Sequence, residues 1–161
     1  MLIRTATIDD LDAVSAMEAA CFPAAEAAPR EAFAQRLEKY GNHFWLLFDG
    51  ERLLAFADGF VTDEPDLFDE MYEKAELHNE QGKWQMIFGL NTLPAFRRKG
   101  LAGQLLRQII ADAKEQARRG VVLTCKERLI PYYAKFGFAD EGVSSKTQHG
   151  GAMWHQMRLE F

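Results

Sequence analysis

The chain has 161 residues, a length suited to one domain with a real core. Its 48% hydrophobic content, with 12 Phe, excludes a disordered segment, and a formal net charge of -5 excludes the broad basic footprint of a nucleic-acid partner. Met1-Leu2-Ile3-Arg4-Thr5 lacks the apolar core of a signal peptide, and no apolar run approaches membrane-spanning length. Cys21 and Cys125 make no metal or disulfide framework. A cytoplasmic chain with no metal and no membrane partner is the expectation.

A short strand is predicted over Leu2–Ala6. Asp9 or Asp10 caps a helix with Ile8, Leu11, Val14 and Met17 on one face, and Phe22-Pro23 ends it. A second helix runs from Pro29 to Gly41, with Phe33, Leu37 and Tyr40 on its apolar side. The strands His43–Phe48 and Leu53–Val61 flank Asp49-Gly50, a strong hairpin signal. An acidic stretch follows, with Asp63, Glu64, Asp66, Asp69, Glu70, Glu73, Glu76 and Glu80 against a lone Lys74. Leu67, Met71 and Ala75 give it the apolar face of a helix.

Trp84–Leu93 reads as one apolar strand closed by Pro94. Arg97-Arg98-Lys99-Gly100-Leu101-Ala102-Gly103 then opens a helix whose Leu105, Leu106, Ile109, Ile110, Ala113 and Ala117 recur at amphipathic spacing. A cationic, glycine-bearing turn at a helix start suits phosphate: unpaired amides point at the anion and the helix dipole favours negative charge. It is neither a P-loop nor a dinucleotide fingerprint, which need Gly-x4-Gly-Lys-Ser/Thr and Gly-x-Gly-x-x-Gly. Its bland alternative is a basic surface turn. Val121–Cys125 is a buried strand, and Arg128–Phe136 a short helix with Pro131 in its first turn and Gly137 as its stop. Phe138–Ser145 and Ala152–Phe161 are two closing strands around His149-Gly150-Gly151.

The order β-α-α-β-β-insert-β-α-β-α-β-β implies an α/β (α+β) fold. It is a mixed, mostly antiparallel twisted sheet of about seven strands with helices on both faces, in a single domain over 1–161. Arg-x-x-Gly-x-Ala at Arg97–Ala102 resembles the acyl-CoA pyrophosphate signature of the GNAT superfamily of N-acetyltransferases. Gln85–Gly100 resembles that superfamily's core strand and loop, and Leu129–Phe138, ending in Phe-Gly-Phe, its later helix. Cys21-Phe22-Pro23 with Glu26, and the Cys125–Phe138 block, are similar to the arylalkylamine (serotonin) N-acetyltransferase-like branch.

This resemblance implies acetyl-CoA as cosubstrate and a small primary amine as acceptor partner, with no metal. It places CoA contacts at Leu90, Asn91 and Thr92 and at Arg97, Arg98, Lys99, Gly100, Leu101, Ala102 and Gly103. It also puts Tyr133 at the position of the family's general acid, while packing between helix and sheet is the plainer role for Tyr132 and Tyr133. Vertebrate serotonin enzymes carry histidines where this chain has Met86 and Phe88, so Glu26 is the replacement base, against a reading as a solvated loop carboxylate or helix cap. Phe22, Met86 and Phe88 are candidate linings of the acceptor pocket unless they are core, and His78 is a weaker acceptor contact. Acetylation of a peptide or protein, and a CoA sensor without catalysis, remain alternatives. The chain is a monomer or homodimer on this reading.

Overall fold

The computed structural model describes residues 1–161. In chain order it has β1 (Leu2–Thr5), α1 (Leu11–Cys21), α2 (Arg30–Tyr40), β2 (Phe44–Asp49), β3 (Arg52–Asp58), β4 (Val61–Thr62), α3 (Glu70–Glu73) and β5 (Trp84–Ile87). β6 (Gly89–Thr92), α4 (Leu101–Glu115), β7 (Gly120–Cys125), α5 (Ile130–Ala134), β8 (Ala139–Val143) and β9 (His155–Glu160) complete it. The expected helices and strands are present as a mixed α/β architecture, but seven strands have become nine. The two long apolar runs each break once, at Gly59-Phe60 and at Phe88. Asp58 faces Gly89 whereas Val61 faces Gln85, so the β5–β6 side carries one extra residue, the mark of a β-bulge. A continuous apolar pattern cannot register such a one-residue offset. No helix is long and apolar enough to cross a membrane.

The chain divides into two compact units. Residues 1–59 and 89–109 hold an antiparallel sheet in the order β1-β2-β3-β6. Thr7, not Asp9, caps the first helical turn: its hydroxyl accepts from the Asp9 amide, and the Asp10 carboxylate accepts from the Thr7 amide. Arg4 then holds Asp10 with two nitrogens, at 2.8 and 2.9 Å. Ile8 is exposed, so the buried stripe of α1 is Val14, Met17 and Glu18. On α2 the stripe is Phe33, Arg36, Leu37 and Tyr40. Phe33 meets Phe44 and Phe56 edge-on, with centroids 6.2 and 5.9 Å apart, and Tyr40 stacks on Phe44 at 5.9 Å. Arg36 enters this apolar face because Asp58 on β3 neutralises it at 3.0 Å, with both side chains almost wholly buried. Burial pushes the Asp58 carboxyl up to about 7, with Arg36 opposing.

Residues 60–88 and 110–161 hold the second sheet, in the order β4-β5-β7-β9-β8. Only the β5–β7 pair is parallel, as a strand-helix-strand crossover requires. At Gly120 a Cβ would collide with the Leu159 carbonyl and the Trp84 ring, so glycine alone allows β7 to start there. The acidic insert keeps the expected buried face of Leu67, Met71 and Ala75, but only Glu70–Glu73 is α-helical. Asp69 N–H bonds the Lys146 carbonyl, and the Thr147 hydroxyl bonds the Leu67 carbonyl. These ties to a distant segment replace the helical bonds a longer helix would make. Asp66 adds ion pairs to Lys146 and Arg158, at 2.9 and 2.8 Å.

Replacing Arg36 with Met leaves the buried Asp58 charge uncompensated, at a cost of about 3–5 kcal/mol. Because the folded carboxyl titrates near 7, above its ordinary 3.8, the folded state holds the proton longer than the unfolded one. The contribution of Asp58 is therefore whole below its unfolded value and falls as pH rises through 7. Urea unfolding of Arg36→Met should show the larger loss at pH 8 and the smaller at pH 5.

Candidate functional site

The basic turn follows β6 after a 3-10 turn at Pro94–Phe96. Arg97 Nε donates to the Thr92 carbonyl at 3.1 Å, curling the segment back on its own strand. Arg98 sits at φ +63 and Gly100 at φ +81, both left-handed. Arg97 before them is extended, at φ -69 and ψ 158, so two left-handed residues bend the chain sharply just ahead of α4. At Gly100 a Cβ would meet nothing, so the backbone rather than space selects glycine. The first helical bond runs from Gln104 N–H to the Gly100 carbonyl. Leu101, Ala102 and Gly103 lie before it, with amides that have no intrahelical acceptor. Arg97, Arg98 and Lys99 are exposed, while Leu101 and Gly103 are buried and hold the turn in place. This arrangement can bind a phosphate-rich anion.

β6 is the edge strand of its sheet. Leu93 N–H bonds the Leu54 carbonyl, which sets the alternation along the ladder with β3. Gly89, Asn91 and Leu93 therefore direct their backbone groups at β3, and Leu90 and Thr92 direct theirs to the open edge. The Thr92 carbonyl confirms this direction, since it accepts from Arg97 and, at 3.3 Å, from the Cys21 thiol. Of the three residues expected along the CoA arm, Leu90 and Thr92 thus offer backbone groups outward. Asn91 turns its amide inward and uses its buried side chain on Glu18, at 2.7 Å.

Glu18 escaped the sequence reading. Its Oε1 accepts from Asn91 and its Oε2 from the Ala28 amide at 2.9 Å, so one buried carboxylate ties α1, β6 and the loop after α1 together. Arg36 and Asp58 escaped as well. The usable signal was a charged residue on an apolar stripe: Glu18 lies four residues after Val14, and Arg36 three after Phe33. In the same loop Glu26 is 9% exposed, a buried carboxylate rather than a solvated one, on a turn closed by its own amide to the Pro23 carbonyl. Phe22 is half-buried beside it in sequence. The Cys21 thiol is raised by burial, with Arg97 opposing. That leaves it poorly suited to nucleophilic duty.

In the second unit Tyr133 lies on α5, after the Pro131 turn and before Gly137, which is left-handed at φ +98. The ring packs edge-on against Tyr132 and Phe138, at 5.2 and 6.1 Å. Burial first, then Cys125 and Tyr132, push its hydroxyl well above the usual phenol range. Tyr133 therefore carries its proton throughout neutral pH. Burial likewise lifts the Cys125 thiol, to about 11.

Met86, a candidate for the acceptor lining with core as its alternative, is fully enclosed in β5. Phe88 is half-buried at the strand break and packs on Phe60 and Tyr72, at 5.0 and 4.9 Å. His78 accepts the Val61 N–H at Nδ1, 3.1 Å away, and so carries its proton on Nε2, facing Glu80 at 3.0 Å. Both nitrogens are committed to holding the insert. Near it lies a cleft of about 260 Å³ with Phe60, Phe68, Met71 and Leu77 as apolar walls and Asp63 and Glu64 as carboxylates.

Comparison with known proteins gives a family match over residues 11–138, to the acetyltransferase (GNAT) family. The serotonin N-acetyltransferase of Mesocricetus auratus is 33% identical over 101 residues, 62% of this chain and 47% of that enzyme. The match spans about half the length of this curated relative. A GNAT-like decarboxylase, GphF, solved with isobutyryl-CoA, superposes with a TM-score of 0.86 at 21% identity, covering 99% of each chain. The loading GNATL domain of CurA from Lyngbya majuscula gives 0.84 at 16% identity, over 99% of this chain and 96% of that one. At these identities the likeness is one of fold.

Glu18→Ala strips a partner from the Asn91 amide and the Ala28 N–H at once. Bonds to a charged group contribute roughly 1.5–3 kcal/mol each, so chemical denaturation should show a loss of about 3 kcal/mol or more. Gly100→Ala forces a Cβ into the left-handed region and should weaken CoA binding at least severalfold by calorimetry, with stability lowered by about 1 kcal/mol.

Proposed function

The chain belongs to the acetyltransferase (GNAT) family, and on that premise we propose that it transfers acetyl from acetyl-CoA directly to the primary amine of a small molecule, arylalkylamine- or polyamine-like. The observation that carries this reading is the open edge of β6, followed after one 3-10 turn at Pro94–Phe96 by the left-handed residues Arg98 and Gly100. Residues 1–161 act as one catalytic domain on this reading.

The chemistry has four requirements, and named groups suit each. The pyrophosphate sits against the amides of Leu101, Ala102 and Gly103, with Arg97, Arg98 and Lys99 supplying charge. The pantetheine arm adds as an extra strand to the outward groups of Leu90 and the Thr92 amide, and the Leu90 amide polarises the thioester carbonyl as charge builds on its oxygen. The amine arrives as a cation with a pKa near about 10 and must lose a proton before it attacks. Glu26, a buried carboxylate on the loop after α1, takes that proton. Tyr133 keeps its own proton at neutral pH and gives it to the departing thiolate.

Within the second unit the insert cleft offers apolar walls beside the carboxylates of Asp63 and Glu64, a lining suited to an amine with an apolar body. The partial likeness to a serotonin N-acetyltransferase supports the same branch. Phe22 and Phe88, both half-buried, are the aromatic side chains assigned to the acceptor.

Thiol release from acetyl-CoA across a panel of amines and peptides tests the reaction. Turnover on small amines above that on peptides is expected, and CoA binding with no turnover on any acceptor would replace the reading with a sensor. Tyr133→Phe should lower kcat about 100-fold or more, with the KM for acetyl-CoA within about twofold. Wild-type turnover in that variant removes the acid role.

A further inference from the structure

The polar cluster under β6 has more acceptors than donors. Asp58 and Asn91 are each 1% exposed, and Asp58 Oδ1 and Asn91 Oδ1 are buried without a hydrogen-bond partner. Both look onto Gly89. Around the point where a side chain on Gly89 would begin, the three nearest atoms beyond its chain neighbours are all oxygens. Asp58 Oδ1 lies at 3.2 Å, Asn91 Oδ1 at 3.3 Å and Glu18 Oε1 at 3.9 Å. The Asn91 orientation is fixed, because its nitrogen donates to the Glu18 carboxylate at 2.7 Å. Gly89 is not in the left-handed region, so its backbone does not demand glycine. The space above it does. Gly89 is half-buried rather than enclosed, which leaves a small solute a way in.

The charges around this space do not balance. Glu18 from α1 and Asp58 from β3 bring two carboxylates, while Arg36 from α2 brings one guanidinium, engaged with the other Asp58 oxygen at 3.0 Å. A water molecule would satisfy the open acceptors but leave one buried negative charge uncompensated, which is costly. A monovalent cation does both. A divalent ion would leave a positive surplus beside the guanidinium. Carboxylate and amide oxygens are hard donors, the set that suits alkali and alkaline-earth ions rather than zinc or copper. We propose that the space over Gly89 is a site for one monovalent alkali cation, held by Asp58 Oδ1, Asn91 Oδ1 and Glu18 Oε1, with solvent completing its shell from the Gly89 side.

The three ligands come from α1, β3 and β6, so the ion cross-links a helix to two neighbouring strands of the first sheet. Its role is structural, and none of its ligands takes part in the acetyl-transfer steps. A cation that binds only the folded chain stabilises it in proportion to its occupancy. Protons compete for the same place. The titratable groups facing Asp58 are Glu18 from α1 and Arg36 and Tyr40 from α2, and burial raises the Asp58 carboxyl to about 7. Below that value Asp58 holds a proton, the surplus charge disappears and the cation is released. Above it the carboxylate is ionised and the cation binds.

Thermal unfolding of the full chain in potassium, sodium or choline chloride, at one ionic strength, tests the site. Choline is too bulky for the space and controls for screening. At pH 8 the Tm should be about 3 °C or more higher in one of the alkali salts than in choline chloride, and the difference should shrink at pH 5. Gly89→Ala puts a methyl group into the space with only a few tenths of an ångström of adjustment. Checked for folding by circular dichroism, it should lose the alkali-specific shift. A wild-type crystal grown with rubidium chloride, whose ion stands in for potassium and scatters anomalously, should show an anomalous peak beside Asp58 Oδ1 and Asn91 Oδ1. This crystal decides the site even where the variant fails to fold. Equal Tm in all three salts, an alkali shift that survives in Gly89→Ala, or a peak over Gly89 without anomalous signal, which is water alone, each overturns the proposal. None of these outcomes touches the acetyl-transfer reading, which stands or falls on turnover.

Discussion

One-sided pairing of β6 is the constraint on which the functional reading depends. An exposed strand edge invites pairing with other chains, and proteins blunt such edges. Here the strand is only four residues long, Pro94 follows it closely, and Arg97 and Cys21 cover the Thr92 carbonyl. What stays open is a short stretch of backbone, long enough for the amide-bearing arm of a cofactor and too short for a stable foreign strand. The turn that follows adds to this principle, since it presents the free amides of a helix start beside the exposed Arg97, Arg98 and Lys99. Donor recognition of this kind depends on backbone direction, and many side-chain identities are compatible with it.

Holding that backbone still is the work of a buried polar cluster. Asn91, Glu18, Asp58 and Arg36 lie where apolar residues would pack with less electrostatic cost. Desolvating such charges costs several kcal/mol per ion, and the pairing of Arg36 with Asp58 offsets much of it. In exchange, Glu18 sets the loop carrying Glu26 against the strand carrying Leu90 with bonds of 2.9 and 2.7 Å. A purely apolar contact would fix neither distance nor direction so closely.

Most elements were legible because their signals are local. The Asp49-Gly50 hairpin, the stripe of α4 and the Pro131–Gly137 frame around Tyr133 all stand where spacing and turn chemistry place them. The break at Phe88 was hidden, since an apolar run has no residue that marks a slip in register. Met86 stayed open between pocket and core for a related reason: an apolar side chain on a core strand looks the same whether it lines a pocket or fills the interior. His78 stood out as a titratable group in an acidic stretch, and only the Val61 amide shows that its ring anchors the chain. Glu18 was invisible for the opposite reason, because its partners Ala28 and Asn91 are distant in sequence.

The alternation along β6 also writes itself into the solvent exchange of single amides. Asn91 and Leu93 give their N–H groups to β3, while those of Leu90 and Thr92 point away from it. Adjacent residues of one short strand should thus differ sharply in how fast they take up deuterium. Filling the edge would slow the fast pair and leave the slow pair unchanged. Pairing of the proposed cofactor arm with this edge would be legible at two backbone positions, with no knowledge of which amine follows.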